Sequence, residues 1–443
     1  MKKILLLIIF IFFIRENVYS QQVSYNDTLD AAMQNSFDLK ITQLDIGIST
    51  QKIKGARADY FPKISAYSTT EYTKNLLNYP TPVAYIGNEV LLNDSQYQSS
   101  LSLGLTYNLF DFGIRKSKLE IAKKDKQSQE IEYIKELRDL KLNLSQTYAK
   151  ALYAYKELHN KQEILVARTE LFQMQKRLNE AGKIPKTESL SEEIKLSASE
   201  SERDKAASDY AKSLEELAFL TQTKYEADKT ELNDFDINDI VFVNNTVNLK
   251  AEKSTILEIE DTPEYKFYKS EIEKKQKELD IKKKENLPQF NFQSNYYFYG
   301  TDPNSLANSY DNLSQRGIKF RLVGSLPIFD GFKNKSERES LKLEIEKLKI
   351  TKEQKLAELY KNYNQMQQDS IYSKMQLKNT YKTLELVNSN IEMLDRLDKN
   401  KLIDKVAYLN SKIELLNKRL ELEQAQISDY LATYKLDVLT DNN

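Results

Sequence analysis

Two hydrophobic periods alternate along this chain. From Arg115 to about Ala181 no proline or glycine interrupts the sequence, and Tyr133, Leu137, Leu140 and Leu144, then Tyr148, Ala151, Tyr155 and Leu158, recur three and four residues apart. This spacing puts them on one stripe of a helix. Roughly 65 residues at about 1.5 Å each make that helix about 100 Å long. Val406, Leu409, Ile413, Leu416, Leu420, Ile427 and Tyr430 repeat the spacing near the other end. Charged residues fill the remaining faces, so the pattern predicts coiled-coil seams. Shorter helices are predicted over 28–60, carried by Leu29, Ala32, Met33, Leu44 and Ile48, and over 263–286, where Pro263 suits a first helical position. Both should stop before Pro62 and Pro288, because a residue preceding proline avoids the helical region.

After each of these prolines the period falls to two. Leu101, Leu103, Leu105, Tyr107 and Leu109 alternate with Ser102, Gly104, Thr106 and Asn108. Phe290, Phe292, Tyr296 and Phe298 alternate with Gln289, Asn291, Gln293 and Asn295, and Ile318, Phe320 and Leu322 oppose Lys319 and Arg321. A weaker alternation, with Ile64, Ala66 and Tyr72 on one side, follows Pro62. Strands with one apolar and one polar face are therefore expected at about 63–75, 97–110, 289–301 and 315–329. Polar, turn-rich stretches separate them: NYPTPVAYIGNEVLLND in the first pair and GTDPNSLANSYDNLSQ in the second.

The elements come in duplicate. Phe110-Asp111 recurs as Phe329-Asp330 and Arg177-Leu178 as Arg396-Leu397, in both cases 219 residues on. Pro62 and Pro288 lie 226 residues apart, so the first copy holds about seven extra residues, expected in a loop. The first repeat spans 21–220, with further helices at 115–181 and 185–223. The second spans 263–443, with helices at 263–286, 333–399 and 402–436. Residues 221–262 lose periodicity and are expected to form a linker or small mixed segment.

Composition narrows the function classes. Lys2 and Lys3 precede an apolar run from Ile4 to Ile14, and Val18-Tyr19-Ser20 ends in a small residue before Gln21. Residues 1–20 thus read as a secretory signal, with an apolar run too short for a membrane-spanning helix, which needs roughly 20 residues. With 65 basic and 66 acidic residues, no strong nucleic-acid field is implied. The absence of cysteine excludes disulfides, thiolate metal sites and an acylated N-terminal cysteine together. One histidine, His159, within a long helix, supplies neither a zinc site nor a catalytic triad. No phosphate-binding GxxxxGK[ST] loop is present. No catalytic, cofactor-binding or metal-binding residue is therefore expected. The 28 tyrosines cluster partly at strand ends, as at Tyr296, Tyr297 and Tyr299, a placement that suits a membrane interface.

Four alternating strands per chain leave two readings. The sheet is soluble with one buried face, or several chains share a membrane barrel, because an open sheet edge in hydrocarbon leaves backbone groups unpaired and about eight strands are the fewest that close. Three chains would supply twelve.

The order of helix, proline, strand pair, Phe-Asp, long helix, tip and returning helix, given twice, resembles the TolC-like outer-membrane efflux proteins over essentially the whole chain beyond the signal. LFDFG, IFDGF and RLNEAGKIPKTESL carry the resemblance most specifically. It implies a fold that is mainly α with a membrane β-barrel portion, assembled as a homotrimer. The trimer would form a twelve-stranded barrel in outer-membrane lipid of a Gram-negative bacterium and a twelve-helix periplasmic tunnel. It also implies a gated, passive exit duct for small molecules or polypeptides in a tripartite efflux or type I secretion system. The partners would be a periplasmic adaptor and an inner-membrane pump or transporter. The adaptor-contacting tips would be Arg177, Leu178, Gly182 and Lys183 in the first repeat, and Arg396, Leu397, Asn400 and Lys401 in the second. The family's tip carries a glycine followed six residues later by aspartate before Val-Leu. Here Gly182 is followed by Glu188, Ser189 and Leu190, whereas the equivalent second-tip positions are Lys401 and Ala407. Glu188 and, one turn before Ala407, Asp404 are the candidate constriction residues. The competing reading is a periplasmic coiled-coil adaptor or scaffold, which would more naturally show one hairpin than a duplicated one.

Overall fold

The computed structural model describes residues 21–74, 84–86, 89–91, 97–235, 258–399 and 405–440. The expected signal over 1–20, most of the segment between the repeats, and Asn400, Lys401 and Asp404 of the second tip lie outside the described residues. The first repeat contains β1 (Gln21–Val23), α1 (Tyr25–Asn35), α2 (Phe37–Ala58), β2 (Lys63–Tyr72), β3 (Ala84–Ile86), β4 (Glu89–Leu91), β5 (Tyr97–Phe110), α3 (Ile114–Glu180) and α4 (Lys186–Thr221). After β6 (Thr230–Leu232), the second contains α5 (Pro263–Lys284), β7 (Gln289–Asp302), α6 (Leu306–Asp311), β8 (Gln315–Ser325), α7 (Lys333–Lys399) and α8 (Lys405–Thr440). The chain divides into two compact units, one of residues 1–43, 132–265 and 354–443, the other of 44–131 and 266–353.

In the first unit four long helices lie side by side in the order α4, α3, α8, α7. Arg168 on α3 meets Glu192 on α4 at 2.9 Å, and Lys161 meets Glu202 at 2.8 Å. Ile164 and Ala167 on α3 pack with Ile413 and Leu416 on α8, where the Asn160 amide donates to the Leu416 carbonyl at 2.6 Å. On its other side α8 buries Leu422 and Ala425 against Leu377, and Leu439 against Leu359 and Tyr363 of α7. The main core lies where β1 pairs in parallel with β6. There the Tyr148 hydroxyl donates to the carbonyls of Val23 and Asn233 at 2.9 and 2.7 Å, and Tyr25 donates to Tyr434 at 2.8 Å. Burial pushes the Tyr25 and Tyr148 phenols well above their ordinary range, so both act as neutral donors. The part of the inter-repeat segment that is described is thus pinned to the helices rather than hanging free.

The sequence pattern predicts a single helix over 28–60, but the structure breaks it at Ser36. Ser24 starts α1 as a capping box with Asp27, and Ser36 ends it by donating its amide to Ala32. The Ser36 hydroxyl then accepts the Leu39 amide at 3.3 Å and so starts α2. Serine's local hydrogen bonding competes with helix continuation, and here it wins.

In the second unit β2, β5, β7 and β8 form one four-stranded sheet in that order, every neighbour antiparallel. The central pair, β5 with β7, joins one repeat to the other. Each repeat leaves the sheet through the same corner. Asp111 accepts the amides of Gly113 and Arg115 at 3.1 Å each and the Arg115 Nε at 3.0 Å, and Asp330 accepts the Asn334 amide at 2.8 Å. These carboxylates cap α3 and α7. The turn places two consecutive residues in left-handed conformation, Phe112-Gly113 in one copy and Gly331-Phe332 in the other. The cost of a phenylalanine there, about 1–2 kcal/mol, is offset by ring contacts with Phe110 at 4.7 Å and Phe329 at 5.5 Å. Beyond the corners α5 lies between α3 and α7, joined to α3 by Lys274–Asp125 and to α7 by Lys275–Glu344, both at 3.0 Å.

Candidate functional site

The sheet register separates two faces. Ile64, Leu105, Ser294 and Phe320 share one row, and Ala66, Leu103, Tyr296 and Ile318 the next, so one face is largely aliphatic and aromatic. The alternate rows, Lys63, Thr106, Gln293 and Arg321, then Ser65, Gly104, Asn295 and Lys319, are polar. Leu103, Ile64, Ile318, Phe320 and Leu322 are solvent-exposed in the single chain. A soluble sheet would bury that face. A sheet whose apolar side meets lipid leaves it open. The outer edges are β2 and β8, which run in opposite directions, so β8 of one copy can continue the antiparallel ladder with β2 of another.

Near its far end the apolar face turns small and polar, with Thr70, Ser99 and Gly300, and there α6 lies across it. The Ser309 hydroxyl meets that of Ser99 at 2.6 Å, and the Tyr310 hydroxyl meets that of Thr70 at 2.8 Å. A Cβ on Gly300 would sit 2.2 Å from the Ser309 carbonyl oxygen, so only glycine admits this approach. In sequence this stretch reads as polar and turn-rich. Ser305, whose hydroxyl accepts the Asn308 amide, was the signal that could have marked a helix start.

At the first helical tip, Arg177 and Leu178 end α3, and Gly182 takes a left-handed φ of 70°. The Lys183 amide donates to the Leu178 carbonyl at 2.9 Å, and the Asn179 side chain donates to the Ile184 carbonyl at 3.0 Å. Pro185 then caps α4, leaving Glu188 exposed in its first turn, where the helix dipole favours a carboxylate. Arg396 and Leu397 lie in the last turns of α7. Just beyond the second tip, Lys405 on α8 pairs with Glu170 on α3 at 2.5 Å, which ties the returning helix of one repeat to the outgoing helix of the other. Glu192, nearly fully buried with Arg168 and Lys195, is a further ionic contact near the first tip that periodicity did not single out.

The duplication makes a sharper comparison possible. Leu152, Ala167 and Ile413 are 1, 2 and 6% exposed, whereas their equivalents 219 residues away, Ile371, Leu386 and Ile194, are 62, 65 and 71% exposed. The residues through which the first repeat grips the second are buried. The same positions at the open ends are apolar and bare.

Residues 28–222 match the family described as Outer membrane efflux protein. The match takes in 195 of the 443 residues, less than half of the chain. No curated protein matches it. Among solved structures, the chain resembles the CmeC outer membrane channel of Campylobacter jejuni at 14% identity and a TM-score of 0.75, over 94% of this chain and 85% of that one. It resembles the outer membrane protein VceC of Vibrio cholerae at 13% identity and a TM-score of 0.74, over 94% of this chain and 95% of that one. The MtrE outer membrane channel of Neisseria gonorrhoeae, solved in its open state, matches at 14% identity and a TM-score of 0.71, over 94% and 88%. At such identities the likeness establishes the fold, and the fold covers both repeats where the family match covers the first.

Proposed function

We propose that this protein is the outer-membrane exit duct of a tripartite efflux or type I secretion system, active as a homotrimer. The observation that carries the reading is the mismatch in burial between equivalent positions. The contact by which α3 meets α8 inside one chain has an equivalent in α7 meeting α4 of a second copy, and the exposed Ile371, Leu386 and Ile194 are the apolar residues it would bury. Such a head-to-tail contact gives a closed ring when its rotation closes. The sheet offers a head-to-tail contact of its own, β8 to β2, and three copies of four strands would make twelve, within the range of membrane barrels. The apolar face would then meet outer-membrane lipid, the polar face would line a water-filled lumen, and the helices would continue the duct through the periplasm.

In this reading Arg177, Leu178, Gly182 and Lys183, with Arg396, Leu397, Asn400 and Lys401, meet a periplasmic adaptor that couples the duct to an inner-membrane pump. Glu188 and Asp404 are the candidate constriction. Support for the first tip is its ordered turn and its exposed Glu188; the second tip is proposed by repeat equivalence alone. Alkaline carbonate extraction followed by gradient separation tests the membrane assignment. The protein should stay with outer-membrane fractions, and release into the wash would return the scaffold reading.

A further inference from the structure

The polar face of the sheet is not electrically neutral. Arg321 and Lys319 sit two residues apart on β8 and project to the same side, beside the amides of Gln293 and Asn295 on β7. Both cations are exposed, and among the described residues neither takes part in an ion pair. Lys319 is held rather than loose. Its ammonium lies 4.9 Å from the centre of the Tyr297 ring, and that ring closely covers Gly317, where a Cβ would come within 2.6 Å of the Tyr297 hydroxyl. A cation over an aromatic face is stabilised without being neutralised. On the opposite edge of the sheet, Lys63 shares the row of Arg321. Among the described residues, two acids lie along the Lys63 edge. Asp59 meets Lys63 at 3.5 Å, and Glu71 lies eight residues further along β2, about 26 Å away at 3.3 Å per residue. Within one chain neutral Thr106 and Gln293 separate these two basic edges, and joining β8 of one copy to β2 of the next would make the edges neighbours.

We propose that Lys319 and Arg321 form a basic belt in the lumen that makes this duct prefer anions, which suits cargo carrying carboxylate, phosphate or sulfate groups. The inference rests on the barrel reading above. Rings of basic side chains on a water-filled pore raise the local anion concentration and lower the barrier to anion entry. Amide donors beside the cations supply hydrogen bonds that a dehydrating anion needs.

The test is the reversal potential of the full-length oligomer in phosphatidylcholine planar bilayers under a potassium chloride gradient. In a Glu188→Gln, Asp404→Asn background, which removes the charge of the candidate constriction, the protein should pass chloride better than potassium. Lys319→Gln with Arg321→Gln should bring the ratio near parity, and Lys319→Glu with Arg321→Glu should invert it. The preference should be larger at about 0.1 M salt, where the Debye length is about 10 Å, than at about 1 M, where it is about 3 Å. A background channel that prefers potassium, or one reversal potential shared by all three proteins, overturns the belt. An assembled oligomer that conducts nothing overturns the duct reading instead, so the two failures are told apart.

Discussion

Ile194 and Ile413 are equivalent residues of the two repeats with opposite surroundings, and truncating each should give opposite phenotypes. Ile413 is buried against Ile164 and Ala167 of its own chain. Ile413→Ala should therefore lower folding stability by about 2–5 kcal/mol, the usual cost of removing a large aliphatic side chain from a core. Ile194 and Leu386 are exposed in the single chain, so truncating them should change its stability by no more than about 0.5 kcal/mol. Their effect falls on assembly. Full burial of an aliphatic side chain is worth about 1.5–3 kcal/mol, and roughly two-thirds of each surface remains to be covered. Allowing for what alanine retains, Ile194→Ala with Leu386→Ala should cost about 2–3 kcal/mol per interface, about 30- to 150-fold in association. Sedimentation in mild detergent over a concentration series reads assembly, and thermal unfolding of the dissociated chain reads folding. If the double variant lowers the unfolding temperature as Ile413→Ala does while leaving the oligomer intact, the interface assignment is wrong.

Three further outcomes are expected. Arg138 and Glu264 form a mostly buried pair at 2.5 Å; burial opposes ionisation of Glu264, but the Arg138 hydrogen bond and charge outweigh it and hold the carboxyl below its ordinary range. With the folded value below an unfolded value of about 4.3, the pair stabilises fully above that pH and its contribution is lost as pH falls through the folded value. Arg138→Gln should cost about 3–5 kcal/mol at neutral pH and flatten the acid limb of a stability–pH curve measured by denaturant titration. Asp111→Ala removes the acceptor for three donors at the strand-to-helix corner, and chemical denaturation should show a loss of about 1–3 kcal/mol. Gly300→Val should expel α6 from the sheet and open residues 303–314 to limited proteolysis, whereas Gly47→Ala, with open space around it, should leave the digestion pattern unchanged.

Long proline-free stripes and two-residue alternation are the parts of this fold that a sequence announces, because each element's apolar positions must repeat at its own geometric period. What escaped was set by single local contacts. The break at Ser36 depends on one hydroxyl, and α6 on the missing Cβ of Gly300. The pairing of β1 with β6 brings together segments some two hundred residues apart, and three-residue strands carry too little pattern to read. At the first tip, Gly182 and Pro185 were legible because turn chemistry restricts residue type. Burial was not legible at all. Ile194 and Ile413 look alike in sequence, and only the folded chain separates the one that has found its partner from the one that has not.

The absence of cysteine from the chain allows a direct test of the ring. Ala167 and Ile413 pack together within one chain, so their equivalents Leu386 and Ile194 should meet across copies. Leu386→Cys combined with Ile194→Cys, oxidised in membranes and run without reductant, should yield covalent products that end at a closed trimer, with each single variant remaining a monomer. Products that stay monomeric, or a ladder that extends past three copies, would contradict the assembly proposed for this duct.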